Sequence, residues 1–352
     1  FEKDNEPKFS PDNGDYIPLV SRVFPMKKTA LSNLPKIDQW SEDQYLNPVT
    51  NNGNKKRGII VSGLTYLSLL DVLESSKEKP DILKLGLVYP PPRTSIRKFL
   101  ESHDEVKVLE ELDNELEKEI KMMAFDEGIK TKLLGKAGID DWIGEYTPDK
   151  VREILCKTWP DMVSAKTIST ENRPYAPTRP AQMCPGCGHR SAFHAVKKAL
   201  ADTDITVADI GCHTLGFQEP YYMGQVLMCM GASSGIASGL SLFNETRKVV
   251  AFLGDSTFFH AGIPGIVNAL FNKHNFTLVL MENGTTAMTG HQDHAASGRN
   301  FNEVTEKIPV KKVLEGLGVK DIVDIGAYKQ AEITDAVKQA VERDHFSVII
   351  AR

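Results

Sequence analysis

Two short apolar runs constrain this chain more than anything else in it. Val249-Val250-Ala251-Phe252-Leu253 leads straight into Gly254-Asp255, and Phe276-Thr277-Leu278-Val279-Leu280-Met281 leads into Glu282-Asn283-Gly284. Neither run alternates polar with apolar residues, the pattern of a strand buried on both faces of a parallel sheet. The stretch between them, Gly262 to His274, has the length of a crossover helix. The unit is therefore expected to be βαβ, with Asp255 and Asn283 at the carboxyl ends of its two strands. Open α/β sheets bind their ligands at that edge.

A hard divalent cation that bridges a pyrophosphate needs few protein oxygens, because the phosphates supply others. Asp255 offers a carboxylate, Asn283 a side-chain carbonyl, and Thr285 a backbone carbonyl from the following turn. The order Gly254-Asp255-Ser256, then 26 residues (257 to 282), then Asn283 is similar to the thiamine diphosphate (TPP) motif. The competing expectation is that Asp255 and Asn283 are ordinary turn residues after strands.

At 352 residues the chain has room for two domains. A net charge of −5 points away from nucleic acid and from anionic membranes. No apolar run reaches spanning length and no signal-peptide pattern opens the chain, so the expected compartment is the cytoplasm. The chain opens on Phe1 and stops at a strand-like Ser347–Arg352, which suggests a piece of a longer polypeptide.

Residues 1–54 are proline-bearing with little periodicity, and are expected to form an extended arm. Residues 55–150 alternate apolar runs with helical patterns, which predicts a parallel α/β domain. There Glu110-Glu111 is expected to be a solvated charge pair. Residues 151–180, with Pro160, Pro174, Pro177 and Pro180, are expected to be a linker, and 181–352 a second α/β domain. In that domain Met230-Gly231-Ala232-Ser233-Ser234-Gly235 is a small-residue turn into a helix. Such a turn lets backbone amides approach a diphosphate or a ring.

Cys184 and Cys187 form a Cys-x-x-Cys, and Cys212 follows the next strand. Three soft ligands near one sheet edge are compatible with zinc, given a fourth ligand such as His189 or His213. They are equally compatible with an iron–sulfur cluster, given a fourth thiolate, or with reduced structural thiols. Cys156 and Cys229 fit as buried small hydrophobes.

Taken in order, Cys184-Pro185-Gly186-Cys187-Gly188-His189-Arg190, Asp209-Ile210-Gly211-Cys212, Met230–Gly235, Gly254–Pro264 and Thr285–Gln292 resemble the TPP-binding subunit of the 2-oxoacid:ferredoxin oxidoreductases. The likeness is greatest to the alpha subunit of the indolepyruvate (arylpyruvate) branch. It is dense over 180–352 and looser over 55–150, where Lys84-Leu85-Gly86 and Glu110-Glu111-Leu112 match a transketolase-C-terminal-like domain.

The resemblance implies an α/β fold class: that domain followed by a TPP-binding parallel-sheet domain. It implies Mg²⁺ on Asp255, Asn283 and Thr285. It lines the cofactor with Gly231, Ala232, Ser233, Gly254, Asp255, Ser256, Thr286, Met288, Thr289 and Gln292, and turns His189, His260 and His291 toward the substrate. Cys184, Cys187 and Cys212 map to three ligands of a [4Fe-4S] cluster whose fourth cysteine falls just past Arg352. The implied reaction is oxidative decarboxylation of a 2-oxoacid to an acyl-CoA, with electrons passed to ferredoxin. CoA is the co-substrate. The implied partners are a pyrimidine-binding domain and a second, beta/gamma-type subunit in a hetero-oligomer. Two rival expectations are a non-oxidative TPP-dependent decarboxylase, which has no need of the three cysteines, and a zinc-stabilised non-catalytic subunit.

Overall fold

The computed structural model describes residues 16–163, 177, 179–244, 246–301 and 303–352. The chain divides into two compact units, 1–174 and 175–352, each with its own sheet and core.

In the first unit, helix α1 (Val20–Asp43) precedes strands β1 (Val49–Thr50) and β2 (Arg57–Ser62). Then come α2 (Thr65–Glu74), β3 (Asp81–Leu85), α3 (Arg93–Glu101), β4 (Glu105–Leu109), α4 (Glu115–Asp126), β5 (Lys132–Leu134) and α5 (Pro148–Thr158). The sheet order is β1-β3-β2-β4-β5, parallel except for β1. Successive β2 residues point to opposite faces. Ile59 and Val61 pack with α2 and α5, and Ile60 packs with α3 and α4.

Three expectations need correction here. The 1–54 arm is not extended over its described part: residues 20–43 are one helix that carries Pro25 and Pro35 inside it. Its last turn is anchored where Glu42 accepts hydrogen bonds from the Ser95 amide (3.0 Å) and hydroxyl (2.6 Å). The 151–180 linker begins too early, because Val151, Ile154, Leu155, Trp159, Met162 and Val163 complete one core face of this unit. Its part at 164–176 and 178 lies outside the described residues. Glu110 and Glu111 are not a solvated pair. Glu110 accepts from the Leu116 and Glu117 amides at the start of α4, and Glu111 accepts from the Tyr146 amide.

The second unit opens with α6 (Gly188–Ala199), β6 (Ile205–Val207), α7 (Ala232–Leu242) and β7 (Val249–Gly254). A single helical turn, α8 (Asp255–Thr257), and a π-turn (Phe258–Gly262) lead into α9 (Ile263–Phe271) and β8 (Thr277–Met281). A small β9 (Arg299–Asn300) and β10 (Glu303–Val304) pair, α10 (Val310–Gly316), β11 (Ile322–Ile325), α11 (Gln330–Val341) and β12 (Ser347–Ala351) complete it. The five-stranded sheet runs β11-β12-β8-β7-β6 and is parallel throughout.

The β7–α9–β8 unit therefore forms as its two apolar runs require, with Gly254 paired to Met281. Val250 and Phe252 face α6 and α11, whereas Ala251 and Leu253 face α7, α9 and α10. Burial on both faces explains why the runs lack alternation. No helix among the described residues is long and apolar enough to cross a membrane.

Phe252 is fully buried and its ring centroid lies 4.6 Å from that of Phe193. Phe252→Ala is expected to destabilise the second unit by about 3–5 kcal/mol. Urea denaturation of the variant against wild type measures the loss.

Candidate functional site

The site begins with one carboxylate. Asp255 follows β7 and is 2% exposed. Its Oδ1 accepts from the Ser256 amide at 2.9 Å. Its Oδ2 accepts from the amides of Asn283 (3.0 Å) and Gly284 (2.7 Å), which follow β8. The His294 Nε2 stands 3.5 Å from the same oxygen. His294 Nδ1 accepts from the Ala296 amide at 3.2 Å, so its ring proton sits on Nε2, the nitrogen that faces Asp255. Burial raises the Asp255 pKa, but His294 and the Gly284 and Ser256 amides outweigh it and hold the carboxyl below its ordinary value. Asp255 is thus an anion kept charged by His294 and by backbone amides.

It opens onto a cavity of about 170 Å³ at the carboxyl ends of β6, β7 and β8. Of the residues expected at the cofactor or metal, Gly254, Asp255, Ser256, Asn283, Thr285, Thr286, Met288 and Thr289 line it, as do His189 and Cys212. The 283–292 loop is internally braced. Asn283 Oδ1 accepts from the Thr285 amide (3.1 Å), the Thr286 hydroxyl donates to the Ser256 hydroxyl (2.7 Å), and the Thr289 hydroxyl donates to Gln292 Oε1 (2.6 Å). Gln292 supports the loop without lining the cavity.

The histidines divide differently from expectation. His189 lines the cavity, whereas His260, on the π-turn, and His291, at a left-handed φ of 62°, are exposed and do not. The second cavity histidine is His213, 2% exposed, whose ring centroid lies 6.4 Å from that of His189. Burial, reinforced by His189, lowers the His213 pKa to about 3 against a weaker pull from Asp255. Burial also lowers the His189 pKa. Both rings are therefore neutral near pH 7 in the ligand-free protein. His213 Nε2 is sealed from water and has no hydrogen-bond partner.

The small-residue turn also differs. Gly231, Ala232 and Ser233 do not line the cavity; Met230 does. Their amides are already committed, Gly231 and Ser233 to the Asp209 carboxylate and Ala232 to the Cys229 carbonyl. Backbone approach to a ligand is thus closed at these three positions. Gly231 is needed for another reason. Its φ is +86°, and a Cβ there would stand 2.6 Å from the Ala261 side chain.

Cys184 is exposed ahead of α6, Cys187 is the residue before its first turn, and Cys212 opens a 3₁₀ turn after β6. Burial, then the neighbouring Cys187 and Cys184, push the Cys212 thiol up. The three thiols share a neighbourhood, but the described residues contain no group of three or more His, Cys, Asp or Glu side chains placed to hold a metal ion.

The residues that pattern reading missed are Asp209 and His294; His213 was expected only as a possible zinc ligand and Met230 only as the start of the small-residue turn. The Asp209-Ile210-Gly211-Cys212 turn was visible as a motif, but only its cysteine carried a chemical expectation.

Residues 209–351 match the family described as thiamine pyrophosphate enzyme, C-terminal TPP binding domain. The second unit is therefore similar, over most of its length, to a TPP-binding domain. The chain as a whole resembles the alpha subunit of the indolepyruvate oxidoreductases. It is 33% identical to indolepyruvate oxidoreductase subunit IorA of Methanothermobacter thermautotrophicus, covering 100% of this chain and 56% of that protein. It is 32% identical to subunit IorA of Archaeoglobus fulgidus, covering 95% and 54%. The chain thus spans about half the length of the curated relatives it matches. A shorter likeness, 25% identity over 48% of this chain and 68% of the relative, is to the 2-oxoglutarate synthase subunit KorB of Archaeoglobus fulgidus. A solved 2-oxoglutarate:ferredoxin oxidoreductase from Magnetococcus marinus superposes with a TM-score of 0.43 at 22% identity, covering 52% and 68%.

Asp255→Ala leaves the Ser256, Asn283 and Gly284 amides without their acceptor. At roughly 1–3 kcal/mol for each buried unsatisfied group, and with Asn283 partly served by water, the ligand-free protein is expected to lose about 2–4 kcal/mol. Asp255→Asn, which keeps one acceptor oxygen, is expected to lose less. Urea denaturation without added metal or cofactor distinguishes the two.

Proposed function

We propose that this chain is the TPP-binding part of an enzyme that oxidatively decarboxylates a 2-oxoacid to an acyl-CoA, with ferredoxin as electron acceptor. The favoured substrate is an arylpyruvate such as indolepyruvate, in line with the IorA similarity over the full chain. The observation that carries the proposal is Asp255: a buried carboxylate, held charged by His294 and backbone amides, that opens onto a cavity lined by Asn283 and Thr285.

That donor set fits a hard divalent cation bound to a diphosphate, which needs one strong anion and a few neutral oxygens. Asp255, the Asn283 side chain and Thr285 would hold Mg²⁺. Thiamine diphosphate, when bound, supplies carbanion stabilisation for loss of CO₂. The chain's own residues supply orientation and electrostatics. The Ser256 and Thr286 hydroxyls, bonded to each other, fix the wall beside the cation site. His189 and His213 line the same cavity as neutral rings, so they offer hydrogen bonds without setting a second positive charge against the metal. Gln292 and Thr289 hold the loop that bears Thr285 and Thr286. Among the described residues, Cys184, Cys187 and Cys212 do not form a three-residue group spaced to hold a single metal ion.

The first unit is proposed to be a transketolase-C-terminal-like domain. A pyrimidine-binding domain and a second subunit are proposed to complete the enzyme.

Two measurements on the full-length protein with its partner subunit test the proposal. Calorimetric titration with thiamine diphosphate and Mg²⁺ is expected to show binding that Asp255→Asn weakens by roughly 100-fold, about 2.7 kcal/mol. Failure of the wild type to bind would overturn the cofactor assignment. Ferredoxin reduction is expected with indolepyruvate and CoA. Its absence with indolepyruvate, pyruvate and 2-oxoglutarate alike would overturn the oxidoreductase assignment while leaving cofactor binding intact.

A further inference from the structure

Asp209 lies two residues beyond β6 and is completely buried. Its carboxylate is fully committed. Oδ1 accepts from the amides of Ile210 (2.8 Å) and Gly231 (2.9 Å), and Oδ2 from those of Gly231 and Ser233 (both 3.0 Å). Its backbone carbonyl accepts from the Thr214 hydroxyl at 2.9 Å, and that hydroxyl accepts from the Gly211 amide at 3.2 Å.

One residue therefore joins two segments. The first, 209–214, brings Ile210, Gly211, Cys212 and His213 to the cavity, and the second, 229–234, brings Met230. Among the described residues no other hydrogen bond links these two segments. The second segment has little freedom to compensate, because Gly231 is in a left-handed conformation close against Ala261.

We infer that Asp209 is a positioning residue for the cofactor: its carboxylate sets the separation between the His213–Cys212 wall and Met230 of the cavity. The inference rests on the TPP reading for its probe, but the clamp itself is independent of that reading. Asp209→Asn exchanges one carboxylate oxygen for an NH₂, so at least one of the three bound amides (Ile210, Gly231, Ser233) faces a donor, and the bonds that remain lose their charge-assisted strength. The effect should reach ligand binding through wall geometry alone, since Asp209 does not line the cavity.

A remote residue of the same kind separates this from general destabilisation. Asp204 accepts from the Ala201 and Lys248 amides, both at 2.9 Å, ahead of β6 and β7 at the opposite end of the sheet. Asp204→Asn breaks a comparable clamp without touching the cavity.

In the full-length protein with its partner subunit, Asp209→Asn is expected to weaken thiamine diphosphate binding in the presence of Mg²⁺ by roughly tenfold, the scale of lost outer support at a binding site. Asp204→Asn is expected to leave that affinity unchanged, even where both variants lower the melting temperature. Thr214→Val, which cuts the hydroxyl's ties to the Asp209 carbonyl and the Gly211 amide but leaves the carboxylate in place, is the milder variant should Asp209→Asn fail to fold, and is expected to weaken binding by a smaller factor. Hydrogen exchange of the Gly231 and Ser233 amides, measured without cofactor, is expected to accelerate in Asp209→Asn. Unchanged exchange would overturn the clamp. Faster exchange with wild-type affinity, or equal affinity losses in Asp209→Asn and Asp204→Asn, would overturn its role in positioning the cofactor. If the wild type bound no thiamine diphosphate, the cofactor reading would fall, and the exchange result alone would decide whether Asp209 sets the turn.

Discussion

The second unit depends on a carboxylate that ties two strand ends together. Asp255 leaves β7, yet two of its three backbone donors, Asn283 and Gly284, belong to the turn after β8. Parallel strands hydrogen-bond along their length, but the loops at their carboxyl ends have no such ladder. Without a cross-link they would be free to splay. The carboxylate supplies that link, and in doing so it fixes the spacing of Asp255 and Asn283. A metal site needs the same spacing. Structure and proposed chemistry thus draw on one set of hydrogen bonds.

The sheet beneath can carry this arrangement because it is dry on both sides. Val250 and Phe252 face one helical layer, Ala251 and Leu253 the other. Each fully buried large apolar side chain contributes roughly 1.5–3 kcal/mol. That reserve lets the unit hold buried polar groups at its carboxyl edge, including Asp209, Asp255, His189 and His213. The cost is limited where each polar group has partners. The Asp209 carboxylate is saturated with amide donors, Asp255 accepts from three amides, and both imidazoles stay neutral in preference to being charged in a dry site.

The apolar runs made the βαβ unit and its ligand edge legible, because period and length in a buried strand follow directly from burial. The spacing of Asp255 and Asn283 was legible too, since a cation on a diphosphate narrows the choice of ligand. What escaped was contact made through tertiary geometry. Asp209 stands 22 residues from Gly231 in sequence, and no local pattern marks it as the acceptor of that turn's amides. His213 was legible only as a possible zinc ligand, and His294 was hidden behind the Gly290-His291-Gln292 motif. His260 and His291 illustrate the reverse error: they sit inside motifs but point to solvent. The helix at 20–43 was missed because Pro25 and Pro35 signal a break. It forms over both prolines, with Glu42 in its last turn bonded to Ser95.

The amides of the 229–234 turn bear on how such a cavity can work. A glycine-rich turn into a helix suggests donors aimed at an anionic ligand, but here the protein's own carboxylate already occupies those donors. Of the two acids behind the cavity, Asp209 spends its charge on the scaffold, and Asp255 divides its charge between scaffold and cavity. In the proposed metal site, attraction is thereby concentrated at one carboxylate instead of being spread along the rim. An anion held by fixed dipoles needs little reorganisation when a cation arrives, which is the condition under which electrostatic positioning is most effective. The neutral state of His189 and His213 extends the same logic. A protonated imidazole in this cavity would compete with the cation for Asp255, and burial prevents it.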